Sequence, residues 1–207
     1  SGNNVFYNFN RSDHVSRDIT ELMEGEDVHI AIDFNVSIMA SSVFTLRGGQ
    51  MHFIDEFMGH PDTESLAKAI EKKYIQKGHR VQCYPDPSGR ARKSSAAVGR
   101  TDFSILNSYG IQCNARSKAP PIADSVQAVN RLLKLGDDSI NMYFHPRCKH
   151  TIKSMERTVW RENNPDSLTV DKSEGVEHFS DGIRYATEYL FPVRSGTKSV
   201  SKQSHNF

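Results

Sequence analysis

The sequence predicts a mixed-sheet α/β layer fold, on two observations. Three apolar or alternating runs come first, two of them joined at Arg47-Gly48-Gly49, a turn signal that makes the opening antiparallel. Beyond residue 60, short apolar runs alternate with stretches of helical period, the pattern of strands and the helices that connect them. With 207 residues, 37% of them hydrophobic, the chain suits one domain with a substantial core.

Each element has a local reason. Residues 1–26 lack steady periodicity and read as a linker or N-terminal extension. Val28-His29-Ile30-Ala31-Ile32 is an apolar strand closed by Asp33. Ile38 to Leu46 alternates loosely and Gln50 to Phe57 follows, so these runs form a hairpin. Asp62 or Thr63 can cap a helix in which Leu66, Ala69, Ile70 and Tyr74 share a face, and Gly78 stops it. A short strand runs to Tyr84, and a polar loop rich in Gly and Arg spans Asp86 to Arg100. Thr101 caps a short helix ending at Gly110, and Ile111 to Ala115 is a strand. Pro120-Pro121 opens a helix carrying Ile122, Val126, Val129 and Leu133. Ile140 to Phe144 is a strand, Cys148 to about Trp160 is helical, and so is the segment around His178–Tyr185. The tail 193–207 holds Arg194, Lys198 and Lys202, many Ser and no acids, and is expected to be disordered. The domain itself is expected over residues 27–192.

No apolar run approaches the ~20 residues of a membrane span, and the first twenty residues hold no apolar stretch of a secretory signal. Cys83, Cys113 and Cys148 are odd in number and far apart, which reads as reduced thiols rather than a disulfide framework. Net charge is only +1, but it is unevenly spread. Between Gly89 and Lys134 eight Lys/Arg stand against Asp102 and Asp124, so this middle carries +6 and the remainder −5. A basic middle flanked by acidic sites suits a polyanion held near carboxylate-bound metal.

Three acids stand where such chemistry needs them: Asp33 at a strand end, Asp86 opening an Asp-Pro-Ser-Gly turn, and Asp181 early in a late helix. Individually, each has an ordinary structural role as a turn former or first-turn helix residue. Two strand ends and a helix laid across the sheet, however, can bring them to one cleft, and magnesium takes hard oxygen ligands there.

The order of these acids, and the words around them, resemble the nuclease domain of the large terminase subunit of tailed double-stranded-DNA phages. Ile30-Ala31-Ile32-Asp33-Phe34-Asn35, Phe53-Ile54-Asp55-Glu56-Phe57 and Tyr84-Pro85-Asp86-Pro87-Ser88-Gly89 carry the resemblance. So do Ala128-Val129-Asn130-Arg131-Leu132-Leu133, His145-Pro146-Arg147-Cys148 and His178-Phe179-Ser180-Asp181-Gly182-Ile183-Arg184-Tyr185. It covers about Val28 to Pro192. It implies an RNase H-like fold with Asp33, Asp86 and Asp181 as the catalytic, metal-binding triad. Gly182 departs mildly from the Ala common in the family. Glu56 is either a fourth acid, directly or through water, or a solvent-facing hairpin carboxylate. Lys172 and His178 are read as surface residues, with a phosphate contact or proton transfer as the functional alternative.

What the resemblance implies is a two-metal-ion DNA endonuclease using Mg²⁺ or Mn²⁺, with two ions ~3.5–4 Å apart. Its substrate would be concatemeric double-stranded phage DNA, cut during headful packaging at the procapsid portal in the host cytoplasm. The implied partners are the portal ring, the small terminase subunit and an ATPase motor domain of the same polypeptide. No phosphate-binding loop is present, since Gly89-Arg90-Ala91-Arg92-Lys93-Ser94 lacks the Gly before Lys, so the chain reads as the nuclease part alone. Arg90, Arg92, Lys93 and Arg100, beginning near Asp86, are candidate DNA contacts, to phosphate rather than to bases. Two alternatives stand beside this: another RNase H-like nuclease such as a junction resolvase, and a non-catalytic DNA-clamping, portal-docking module. A zinc site at His145-Pro146-Arg147-Cys148-Lys149-His150 is disfavoured, because no second ligand pair exists.

Overall fold

The structure is a computed structural model, and it describes residues 3–34, 39–90, 99–162 and 168–193. Strands β1 (Val28–Asp33), β2 (Met39–Arg47), β3 (Gln50–His60), β4 (Val81–Cys83), β5 (Ile111–Cys113) and β6 (Met142–Phe144) make one sheet. Its helices are α1 (Arg11–His14), α2 (Thr63–Lys73), α3 (Asp102–Ser108), α4 (Ile122–Leu133), α5 (Lys149–Arg157) and α6 (His178–Leu190). The strand order is β5-β4-β1-β2-β3-β6. The β1–β2 and β2–β3 pairs are antiparallel, whereas β4 pairs parallel with β1, β5 with β4, and β6 with β3. This is the expected RNase H-like mixed sheet, with a meander followed by parallel strands and helices on both faces.

Local chemistry explains the boundaries. Gly48 and Gly49 both take positive φ, so the β2–β3 turn suits glycine. Asp62 accepts the Ser65 amide and Thr101 forms a capping box with Ser104, the two predicted N-caps. Two apolar clusters sandwich the sheet. On one face Phe44, Phe53 and Phe144 pack beneath α4, α5 and α6; on the other Ile30, Ile32 and Val43 meet Leu66 and Ile70 of α2 and Ile105 of α3. No helix among the described residues is long and apolar enough to cross a membrane.

Residues 3–26, read from sequence as a linker or extension, are packed onto this domain. Val5 and Phe6 are buried in the cluster beneath α4, and Val5 N–H donates to the Thr158 carbonyl at 3.0 Å. Asn130 of α4 donates to the Val5 carbonyl and, through its own side chain and carbonyl, receives both amides of Asn8. His14 is buried with Nε2 2.8 Å from the Leu133 carbonyl, and Val15 bridges in parallel to Phe144. Arg47, at the end of β2, clamps the following stretch by donating to Thr20, the Glu21 carbonyl and both oxygens of Glu26. The segment is short of periodicity because it is extended and irregular, yet it is tied down at four places. The expected tail lies outside the described residues from 194 onward.

Candidate active site

The parallel pairing of β1 with β4 sets the first two acids. Val28 faces Val81 and Ile30 faces Cys83, and Tyr84 N–H still donates to the Ile30 carbonyl. Asp33 ends β1 and Asp86 follows the end of β4 by three residues, so the parallel pairing sends both acids out at the same end of the sheet. Asp86 also serves its turn: Oδ1 accepts the Ser88 amide at 2.9 Å. Its structural and candidate catalytic roles therefore coexist.

Helix α6 supplies the third acid. A Cβ at Gly182 would stand 2.9 Å from the Ile32 nitrogen and 3.0 Å from the Ala31 carbonyl carbon, tighter than real contacts allow. Glycine here lets the helix lie directly on the β1 backbone. The α6 face turned to the strand ends carries His178, Asp181 and Tyr185, spaced as neighbours on a helix. His178 Nδ1 lies 3.1 Å from Asp33 Oδ2, and the Tyr185 hydroxyl donates to Asp86 Oδ2 at 3.3 Å. One helix face thus spans both strand ends, with Asp181 between its two contacts.

Electrostatics hold the cluster together. Asp181 is 4% exposed and accepts from Arg184 Nη2 at 2.8 Å, and Lys172 Nζ lies 3.4 Å from its other oxygen. Arg184, itself buried, also donates to Ser125 of α4. The bond to Asp33 raises the His178 pKa, helped by the Glu177 and Asp181 charges and opposed by burial. Burial raises the Tyr185 pKa, so its hydroxyl stays a donor across the physiological range. Glu177, 1% exposed, keeps one oxygen without a hydrogen-bond partner beside this cluster.

Carboxylates are the donor type that a hard divalent cation takes. Among the described residues, however, no three His, Cys, Asp or Glu side chains already form a metal cage. Lys172, Arg184, His178 and Tyr185 hold the oxygens instead. The two observations are compatible for Mg²⁺-type ions, which use one or two carboxylates and complete their shell with waters and substrate phosphates.

The remaining candidates lie elsewhere. Glu56 is not solvent-facing: its oxygens accept the His150 and Thr151 amides and the His150 ring at the start of α5. It is a capping anion placed by β3 on another element's N-terminus. Arg90 donates to the Ala115 and Arg116 carbonyls and sits 5.4 Å over the Phe103 ring, and Arg100 donates to Ser108. Both are engaged within the protein. Arg92 and Lys93 lie outside the described residues. Cys148 is buried with its thiol toward the Phe53 carbonyl, so the zinc reading has no support. Sequence reading passed over His178, Tyr185 and Arg184 as a set, although their spacing from Asp181 was visible.

The fold is that of phage large-terminase nuclease domains. The large terminase of a thermophilic bacteriophage matches with TM-score 0.68 and 20% identity over 91% of this chain, which spans only 46% of that one. The P22 large terminase nuclease domain matches at TM-score 0.65 and 11% identity, covering 91% of this chain and 93% of that domain. The large terminase nuclease of thermophilic phage G20c with bound magnesium matches at 0.59 and 13%, over 91% and 98%. No family model matches the sequence, and neither does any curated protein.

Proposed function

We propose that this chain is the nuclease part of a phage large terminase, a divalent-metal-dependent endonuclease that cuts concatemeric double-stranded DNA during genome packaging. The observation that supports this reading is one α6 face, carrying Asp181, whose His178 lies against Asp33 and whose Tyr185 lies against Asp86. The likeness in fold to terminase nuclease domains, one of them magnesium-bound, supports it.

Asp33, Asp86 and Asp181 would hold the ions. Divalent ions held there would supply Lewis-acid activation of a water and charge stabilisation for the leaving 3′ oxygen. Arg184 keeps the Asp181 carboxylate oriented and offsets its charge while the helix is buried. Tyr185 and Ser88 fix Asp86 from opposite sides. Lys172, largely exposed at the rim, is positioned to meet a phosphate. The portal ring, the small terminase subunit and an ATPase motor domain on the same polypeptide are the proposed partners, in the host cytoplasm.

Supercoiled plasmid incubated with Mg²⁺, with Mn²⁺ and with chelator tests the reading. Cleavage is expected with metal only, and it should be lost in Asp86→Ala and Asp33→Asn while their circular dichroism and melting stay near wild type. A folded Asp33→Asn protein that cuts at the wild-type rate would sink the triad.

A further inference from the structure

We propose that the exposed face of α5, carrying Lys149, Lys153 and Arg157, binds the phosphate backbone of duplex DNA and leads it to the cleft. The proposal rests on the nuclease reading above and adds a surface to it. Helix α5 buries Thr151, Ile152, Ser154 and Met155 and turns the three cations outward. They recur every fourth residue, so their Cα atoms step by about 6 Å and span about 12 Å along the axis, over which one DNA strand presents three to four phosphates.

These charges are unspent. The acids beside them are taken: Glu56 caps the helix, and Glu156 forms a two-pronged pair with Arg11 at 2.8 and 2.9 Å. Among the described residues, none of the three cations is in ion-pair contact with a carboxylate, although Arg157 acts on Glu156 through space. Arg157 opens on a cleft of about 350 Å³ that Asp171 and Glu174 also line, so Lys149 and Lys153 carry most of the weight. By contrast, Arg90 and Arg100 of the loop after Asp86 donate to protein groups.

Helix α5 also packs against the first turn of α6, which carries Asp181. The His150 ring stacks on Phe179 with centroids 5.9 Å apart, and Ser154 Oγ accepts the Ser180 amide at 2.9 Å. Phe179 and Ser180 immediately precede Asp181. Exposed His150, beside Lys149 and near Lys153, is the side chain through which a backbone on this face would come up to the first turn of α6, where Lys172 lies against Asp181.

Binding of a fluorescent 30-base-pair duplex to the full chain, measured by anisotropy in chelator across a salt series, tests this. Relative to wild type, Lys149→Ala/Lys153→Ala/Arg157→Ala is expected to lower the steepness of log K against log salt by about 2–3 and to weaken binding about tenfold or more at moderate salt. Lys72→Ala/Lys77→Ala, on the α2 side of the sheet, should keep the wild-type slope. All five residues are exposed, and melting curves are to check that the variants fold. An unchanged slope in the triple variant overturns the proposal, as does an equal loss in the α2-side control, which would make the effect one of total charge. Wild-type protein that neither binds duplex nor cuts plasmid overturns the nuclease reading itself. Metal-dependent cutting with an unaltered triple variant overturns only the tract.

Discussion

At the scale of the residue, the same carboxylate chemistry is put to opposite uses two strands apart. Asp33 lies at a strand end with its partner on α6, whereas Glu56 is consumed by the α5 N-terminus. Both are acids near the ends of apolar strands, and sequence cannot separate them, because the deciding atoms belong to an element about a hundred residues away. Glu56→Ala is expected to lower stability by about 2 kcal/mol in a denaturant titration, through the loss of two charge-assisted bonds to backbone amides. Plasmid cutting by the folded fraction should persist. Loss of cutting without loss of stability would return Glu56 to the metal site.

At the scale of the element, the seat of α6 on β1 decides whether the acids meet. Gly182→Ala forces the helix and strand apart by a few tenths of an ångström, with an expected cost of about 1–3 kcal/mol and slower cutting. A variant with wild-type melting and rate would show that the close approach has slack. The β2–β3 hairpin makes a second test through its clamp on residues 20–26. Bonding to Arg47 lowers the Glu26 pKa in the folded chain. Its contribution is therefore present above the unfolded value, about 4.3, and fades as pH falls through the lower folded one. The melting-temperature gap between wild type and Glu26→Gln should be widest near neutrality and close towards pH 3. A gap constant with pH would mean that Arg47 holds the stretch through Thr20 and Glu21 alone.

For the molecule as a whole, the sheet was legible in the sequence and its N-terminal wrap was not. Alternation, the Gly48-Gly49 turn and the Asp62 and Thr101 caps are local signals, and each predicted strand and helix is present within a few residues. Val5 and Phe6 are two apolar side chains without a period, and their burial depends on a groove formed by α4 and α5 much later in the chain. Arg90's bonds within the protein were hidden for the same reason, since its acceptors lie beyond β5. Phe6→Ala should cost about 3–4 kcal/mol by chemical denaturation, as a core position does. A cost near zero would restore the linker reading.

The bridge between Asn4 and Val159 has a mechanical side. Val5 is bonded to Thr158, the Thr158 hydroxyl lies 3.1 Å from that of Ser180, and Ser180 is the covalent neighbour of Asp181. Three short links therefore join the beginning of the folded chain to the helix turn that carries the third acid. Loosening the N-terminal wrap at Val5 is therefore expected to be felt at the α6 turn that carries Asp181 as well as in the core beneath it.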